Sequence, residues 1–260
     1  MCERTLGVTI SYRQDRDDTP QQIDFSKTKG QGVHFVFVRT SEGIRTDPDF
    51  HYNWREAKEA GLLRSAYHIL DYRPTARSAA MQAMHFADLL GSDRAELPPT
   101  LQVFRVMEWP EMLPPSDELF ELIKQFMDLF EKAYGVKPLF YTNPGTLVYH
   151  LIETVPDWLK EHGLWITHPF RDDFESRKPK ISPWGTWTFW QYTESQDGLA
   201  YGMENKMIFL DYFNGSVENL QRYAEGGPGP GETDGEDDAE LTHLQKLEIM
   251  WNANPDLHPS

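Results

Sequence analysis

The sequence predicts an α/β protein whose sheet closes into a barrel of five βα units followed by three strands. Three observations carry this prediction. From Leu6 to about Phe213, short β-rich runs alternate with helical patterns, as they do around a parallel sheet. After the run 164–168 the alternation stops, and two further strands follow with no intervening helix-sized segment. Eight strands closed on themselves leave no edge unpaired, so a barrel is the economical arrangement for all of them.

Gly7-Val8-Thr9-Ile10-Ser11 forms the first strand, and a short helix around 24–29 leads to the second, His34-Phe35-Val36-Phe37-Val38-Arg39. Asp47-Pro48 opens a helix through Trp54 and Ala57, with the acid as N-cap, proline at the first helical position and Gly61 as terminator. Residues 64–70 make the third strand, and the Ala- and Met-rich segment 75–90 the next helix, ended by Gly91. The fourth strand is 98–107, Pro98-Pro99-Thr100-Leu101-Gln102-Val103-Phe104-Arg105-Val106-Met107, bounded by two prolines before it and by Glu108-Trp109-Pro110 after it. Alternation puts Gln102 and Phe104 on one side of this strand and Leu101, Val103 and Arg105 on the other.

A strong helix begins at Ser116, with Leu119, Ile123, Phe126, Phe130 and Ala133 at helical spacing, and ends at Gly135. Residues 137–142 form strand five. A helix from about Gly145 to Leu151, interrupted before Pro156 and resumed through Trp158, ends at Gly163. The last three strands are 164–168, 187–192 and 207–213. The barrel domain is thus 6–224. Residues 225–238 are a linker by composition, rich in Gly and Pro and then acidic, and 239–260 read as a short amphipathic helix or tail striped by Leu241, Leu244, Leu247 and Trp251. A stripe this short is marginal alone, so it is expected to dock on its own barrel or on a partner.

Composition narrows the function. With 260 residues, 39% of them hydrophobic, the chain can build a sizeable core. Its 41 acidic against 25 basic side chains give a formal charge of -16, which repels phosphate backbones and anionic membranes. No nucleic-acid partner is expected. The single cysteine, Cys2, cannot form an internal disulfide. No apolar run is long enough for a membrane span, and no basic and then apolar leader opens the chain. Localisation stays open beyond cytoplasmic synthesis, with a phage-associated or released protein among the alternatives. The nine histidines show no metal-ligand spacing, no Gly-rich phosphate loop follows a strand, and no Ser-centred nucleophile elbow occurs. Neither a metal nor a cofactor is expected.

Several segments resemble a known family. Gly7-Val8-Thr9-Ile10-Ser11-Tyr12-Arg13-Gln14 is similar to the Gly-Ile-Asp-Val-Ser-x-x-Gln opening of the family 25 glycoside hydrolases, the Chalaropsis-type lysozymes common among phage endolysins. Six more follow in the family's order, covering about 6–220: Phe35 to Gly43, Ala66-Tyr67-His68, Leu97-Pro98-Pro99, Phe140-Tyr141-Thr142, Thr188 to Tyr192, and Tyr212 to Ser216. The resemblance implies an irregular TIM-like (β/α)5(β)3 barrel, with a peptidoglycan groove at the C-terminal ends of its strands. It also implies hydrolysis between N-acetylmuramic acid and N-acetylglucosamine by a set of four acids. Glycoside cleavage needs one protonated carboxyl and one ionised partner, and flanking acids tune their pKa values.

Aligned with that pattern, the four acid positions fall on Thr9, Gln102, Phe104 and Phe209, none of which ionises. Losing a positioned general acid alone removes ~10²- to 10⁴-fold of rate, and here all four are gone. Carboxylates that could act in their place are Glu42 and Asp71, which follow strands two and three near the rim, Glu108, which has the parity of Gln102 and Phe104 but lies roughly 13 Å beyond Phe104 at strand spacing, and Asp211, which has the parity of Phe209 and lies two residues nearer its strand's C-terminal end. The resemblance further implies a groove lined by Tyr12, Tyr67, Tyr141, Trp190 and Tyr192, to which Gln191 and Asn143 could supply hydrogen bonds, while Gln102, Phe104 and Phe209 would make a neutral, partly aromatic floor or simply extend the core. The function expected is therefore a catalytically inactive lysozyme-like barrel that binds a cell-wall glycan or a protein. The alternatives are a muramidase that uses the displaced acids and a phage structural or assembly protein.

Overall fold

The computed structural model describes residues 3–15, 22–73, 76–104, 114–147, 155–169 and 178–231. Nine strands occur among them: β1 (Thr5–Ile10), β2 (Phe35–Glu42), β3 (Arg45–Thr46), β4 (Leu63–Ile69), β5 (Thr100–Gln102), β6 (Leu139–Thr142), β7 (Leu164–Thr167), β8 (Phe189–Gln196) and β9 (Ile208–Phe213). Eight close into a barrel in the order β1-β9-β8-β7-β6-β5-β4-β2, with β2 returning to β1, while β3 folds back on β2 as a hairpin. Neighbours from β1 through β2 and β4 to β8 run parallel, and β9 alone is antiparallel to both of its neighbours, β1 and β8. The helices are α1 (Phe25–Gly30), α2 (Phe50–Glu59), α3 (Ala79–Leu90), α4 (Ser116–Tyr134), α5 (Pro144–Thr146), α6 (Asp157–Lys160) and α7 (Val217–Ala224).

Strand alternation divides the core in two. Phe35, Phe37, Tyr67, Leu139, Tyr141, Trp165, Phe189 and Phe213 fill the barrel interior, whereas Val36, Val38, Leu101, Phe140, Ile166 and Leu210 face the surrounding layer. Gly7 is required by this packing, because a Cβ there would lie 2.2 Å from the Phe35 ring. At the base, α7 plugs the opening: Leu220 is fully buried and the Tyr223 ring stacks at 5.8 Å from that of Phe213. Among the described residues no helix is long and apolar enough to cross a membrane.

Several boundaries differ from the sequence expectation for identifiable reasons. The strand read as 98–107 has its ladder only at Thr100–Gln102, and 105–113 lie outside the described residues. Asp47 does not cap α2. Its carboxylate instead accepts from the Tyr12 and Asp49 amides and from Arg39, and the helix starts at Phe50 after Asp49. In α4, Leu119, Ile123, Phe126 and Phe130 are buried but Ala133 is exposed, and Tyr134 takes the last inward position before Gly135 at φ 78°. The sequence reading also passed over α7, although Ser216 and Asn219 form a reciprocal cap at its start. The segment 226–231, expected as free linker, continues from α7 against the base, with Gly231 beside Thr186. The expected C-terminal helix, 239–260, lies outside the described residues.

Candidate functional site

The C-terminal ends of the parallel strands form the mouth of the barrel. Because β9 runs the other way, its N-terminal end lies at this mouth: Thr9 pairs with Phe209, and Asp211 pairs with Gly7 and Gln191 one layer deeper. Gln102, Phe104 and Phe209 are half-buried, and Thr9 is 4% exposed. The Phe104 ring meets Tyr141 at 4.8 Å in an edge contact, and its carbonyl accepts from the Tyr72 hydroxyl at 2.6 Å. The floor of the mouth is therefore amide, hydroxyl and phenyl.

Beneath it lies an aromatic stack with a polar network along one side. Trp165, fully buried, is sandwiched between Phe37 at 3.7 Å and Tyr141 at 3.5 Å, with Tyr67 against its edge at 5.8 Å. The Tyr141 hydroxyl donates to Gln191 Oε1 at 2.9 Å, and Gln191 Nε2 donates to Thr9 Oγ1 at 3.2 Å. Thr9 in turn donates to Asp211 Oδ2 at 2.6 Å, and Trp165 Nε1 donates to Asp211 Oδ1 at 2.9 Å. Burial pushes the Asp211 carboxyl up to about 7, with the Thr9, Trp165 and Gln191 donors pulling it part of the way back. All three partners are neutral, so nothing of opposite charge offsets desolvation. Burial likewise holds the Tyr67 and Tyr141 hydroxyls well above their usual range.

This placement overturns the expectation that Asp211 stands nearer the rim than Phe209. Toward the C-terminus an antiparallel strand descends into the barrel, and Asp211 is 0% exposed. Glu42 stays at the rim, where Arg45 pairs with it at 3.2 Å. Asp71 also stands at the rim. Arg73 binds it at 2.6 Å and holds its carboxyl below the usual carboxylate range. Glu108 lies outside the described residues.

The aromatic residues divide by strand parity. Tyr67 and Tyr141 are inside but buried, at 6% and 3% exposed, so they support the floor from below. Trp190 and Tyr192 are on the outer face of β8, opposite to Gln191, and so are not groove walls. Trp190 is fully buried with its indole N–H donating to the His168 carbonyl at 3.1 Å, and Tyr192 stacks on Tyr212 at 4.0 Å. Three consecutive strand residues cannot share one face. Tyr12 is half-buried beside Arg39, whose guanidinium sits 4.7 Å from its ring centre and whose Nε donates to Asp47 at 2.7 Å. Asn143 is half-buried, and its side-chain oxygen caps α5 through the Thr146 amide at 2.7 Å. Sequence reasoning missed Arg39, Asp47 and Trp165. Parity with Phe37 could have placed Arg39 inward, but nothing local marks Asp47 as its counter-ion. Among the described residues no cluster of His, Cys, Asp or Glu could hold a metal ion.

Comparisons with known proteins agree on the family of this architecture. The family model described as Glycosyl hydrolases family 25 matches residues 15–199. The Escherichia coli K12 protein YegX is 30% identical over 221 residues, covering 85% of this chain and 73% of its own. Lysozyme M1 of Streptomyces globisporus is 28% identical over 84% of this chain and 74% of its own. Among solved structures, the bacterial lysozyme from Streptomyces coelicolor superposes with a TM-score of 0.71 at 22% identity, over 86% of this chain and 98% of its own. A family 25 glycosyl hydrolase from Bacillus anthracis gives 0.70 at 24% identity, over 85% and 93%.

Proposed function

Because the chain belongs to glycosyl hydrolase family 25, we propose that its barrel serves peptidoglycan recognition, binding the cell-wall glycan at the mouth without cleaving it. One observation carries the reading: the mouth floor at Thr9, Gln102, Phe104 and Phe209 holds no ionisable group, and the carboxylate beneath, Asp211, has both oxygens engaged and no exposure. Hydrolysis of a glycoside requires a proton donor in reach of the leaving oxygen and a second carboxylate. Binding requires less. The half-buried Phe104 and Tyr12 rings offer flat apolar faces to the C–H faces of a sugar, and the Gln102 and Asn143 amides offer hydrogen bonds to its hydroxyls.

The test is incubation of the purified protein with peptidoglycan. Co-sedimentation without new reducing ends is the expected result, and release of reducing ends overturns the reading. Absence of both cleavage and co-sedimentation also overturns it, and then a protein ligand becomes the next partner to assay. Restoring the acids together (Thr9→Asp, Gln102→Asp, Phe104→Glu, Phe209→Asp) is expected to recover measurable cleavage. A folded quadruple variant with no turnover would mean that the groove itself has been rebuilt.

A second reading, residual hydrolysis, is favoured by the Asp211 carboxyl, which at about 7 is partly protonated at neutral pH as a general acid must be. The same assay decides, because in this reading Asp211→Asn abolishes any cleavage detected.

A further inference from the structure

At the base of the barrel, away from the mouth, the chain leaves α7 and runs along the lower strand ends as a strap. Gly227 N–H donates to the Arg222 carbonyl at 2.8 Å, and a Cβ on Gly231 would stand 3.1 Å from Thr186 Cγ2. The strap forms one wall of a cleft of about 700 Å³, whose other walls include Val136, Leu139, Trp184 and Tyr223. Exposed Lys137, Lys160 and Glu161 line it as well. Both lysines already have carboxylate partners, Glu161 at 3.3 Å and Asp157. Those pairs are exposed and of the kind that exchanges readily.

We propose that this cleft seats the chain's own C-terminal segment, 239–260. The chain reaches Gly231 at the lip of the cleft and continues at once with Glu232, Asp234, Glu236, Asp237 and Asp238. In a chain of formal charge -16, this acidic run starts one residue from a cleft edged by two lysines. Beyond the run come Leu241, Leu244, Leu247 and Trp251 at helical spacing, an apolar stripe that needs a surface to be stable. The cleft supplies apolar walls in the partly buried Val136 and Tyr223. Residues 232–238 form a short tether, which holds the stripe at an effective concentration of order millimolar, so weak contacts suffice.

Backbone amide exchange of the full chain tests this. Residues 241–251 are expected to exchange about tenfold or more slowly than in a Leu244→Asp/Leu247→Asp variant, whose substitutions lie outside the barrel. The same loss of protection is expected in Lys137→Glu/Lys160→Glu. Equal exchange in the full chain and the leucine variant overturns the proposal. So does protection that survives the lysine variant, and so does protection that grows with protein concentration, which would mean that a second copy fills the cleft.

Discussion

Among the ionisable side chains wholly buried in this barrel, Arg64 at the start of β4 and Asp211 in the middle of β9 are treated in opposite ways. Arg64 is wrapped by counter-charges: Asp93 at 3.0 Å, Glu96 at 2.7 Å, the carbonyls of Trp54 and Arg94, and the Trp54 ring 4.1 Å from its guanidinium. It stays ionised and holds the Asp93 carboxyl down to about 2. Asp211 receives only neutral donors and is driven up to about 7. A buried charge with a full set of partners fastens a fold, whereas a buried carboxyl without a cation is a proton store beneath the mouth of the barrel.

The largest effect should come from Arg64. Arg64→Met leaves Asp93 and Glu96 without their cation, and a loss of about 3 kcal/mol by chemical denaturation is expected, the low end for a broken buried pair because both acids can rehydrate. A loss under about 1 kcal/mol would erase the contrast. Next comes Asp211→Asn. Because folding raises this carboxyl from 3.8 to about 7, the native state holds its proton more tightly than the unfolded chain does. Its stabilising contribution is complete below about pH 4 and is lost as pH rises through about 7. The variant should match the parent near pH 4 and exceed it by a few kcal/mol at pH 8; unfolding curves at the two pH values check this.

Thr9→Val sharpens the same comparison on a smaller scale. It removes the 2.6 Å donor to Asp211 and the acceptor for Gln191. About 1–2 kcal/mol should be lost at pH 8, where Asp211 is ionised, and less at pH 5. Smallest is Lys124→Ala, which breaks the exposed pair with Asp128 within α4 and should cost about 0.5 kcal/mol or less at either pH. A pH-dependent loss there would mean that surface charge, not Asp211, sets the pH profile.

Much of the fold was legible locally. The alternating runs located all eight barrel strands, although the ladder of the fourth is confined to Thr100–Gln102 among the described residues, and the stop signals at Gly61, Gly91 and Gly135 end α2, α3 and α4 as expected, with φ of 70°, 50° and 78°. The site was legible in part. Alternation on one strand put Gln102 and Phe104 on a shared face, and both are half-buried at the mouth. It was equally able to separate Gln191 from Trp190 and Tyr192, but their shared place in the groove rests on the family resemblance, which ignores strand parity. Asp47 looked like a helix cap because Asp-Pro before an amphipathic run is a strong local signal. Its actual partners, Tyr12 and Arg39, are 35 and 8 residues away.

By itself, the sequence determined the order of the eight barrel strands, their closure into a barrel, and the absence of acid side chains at Thr9, Gln102, Phe104 and Phe209. Those properties depend on residue type and on periods of two and 3.6 residues, which short stretches carry on their own. Only the tertiary structure decided that Asp211 lies below the mouth, that Trp165 fills the space beneath, and that the Gly- and Pro-rich strap edges a cleft at the base. Depth in a barrel depends on strand direction and on pairing with partners far away in the chain. The direction of β9 is fixed by its pairing with β1 and β8, which no local pattern in 207–213 records.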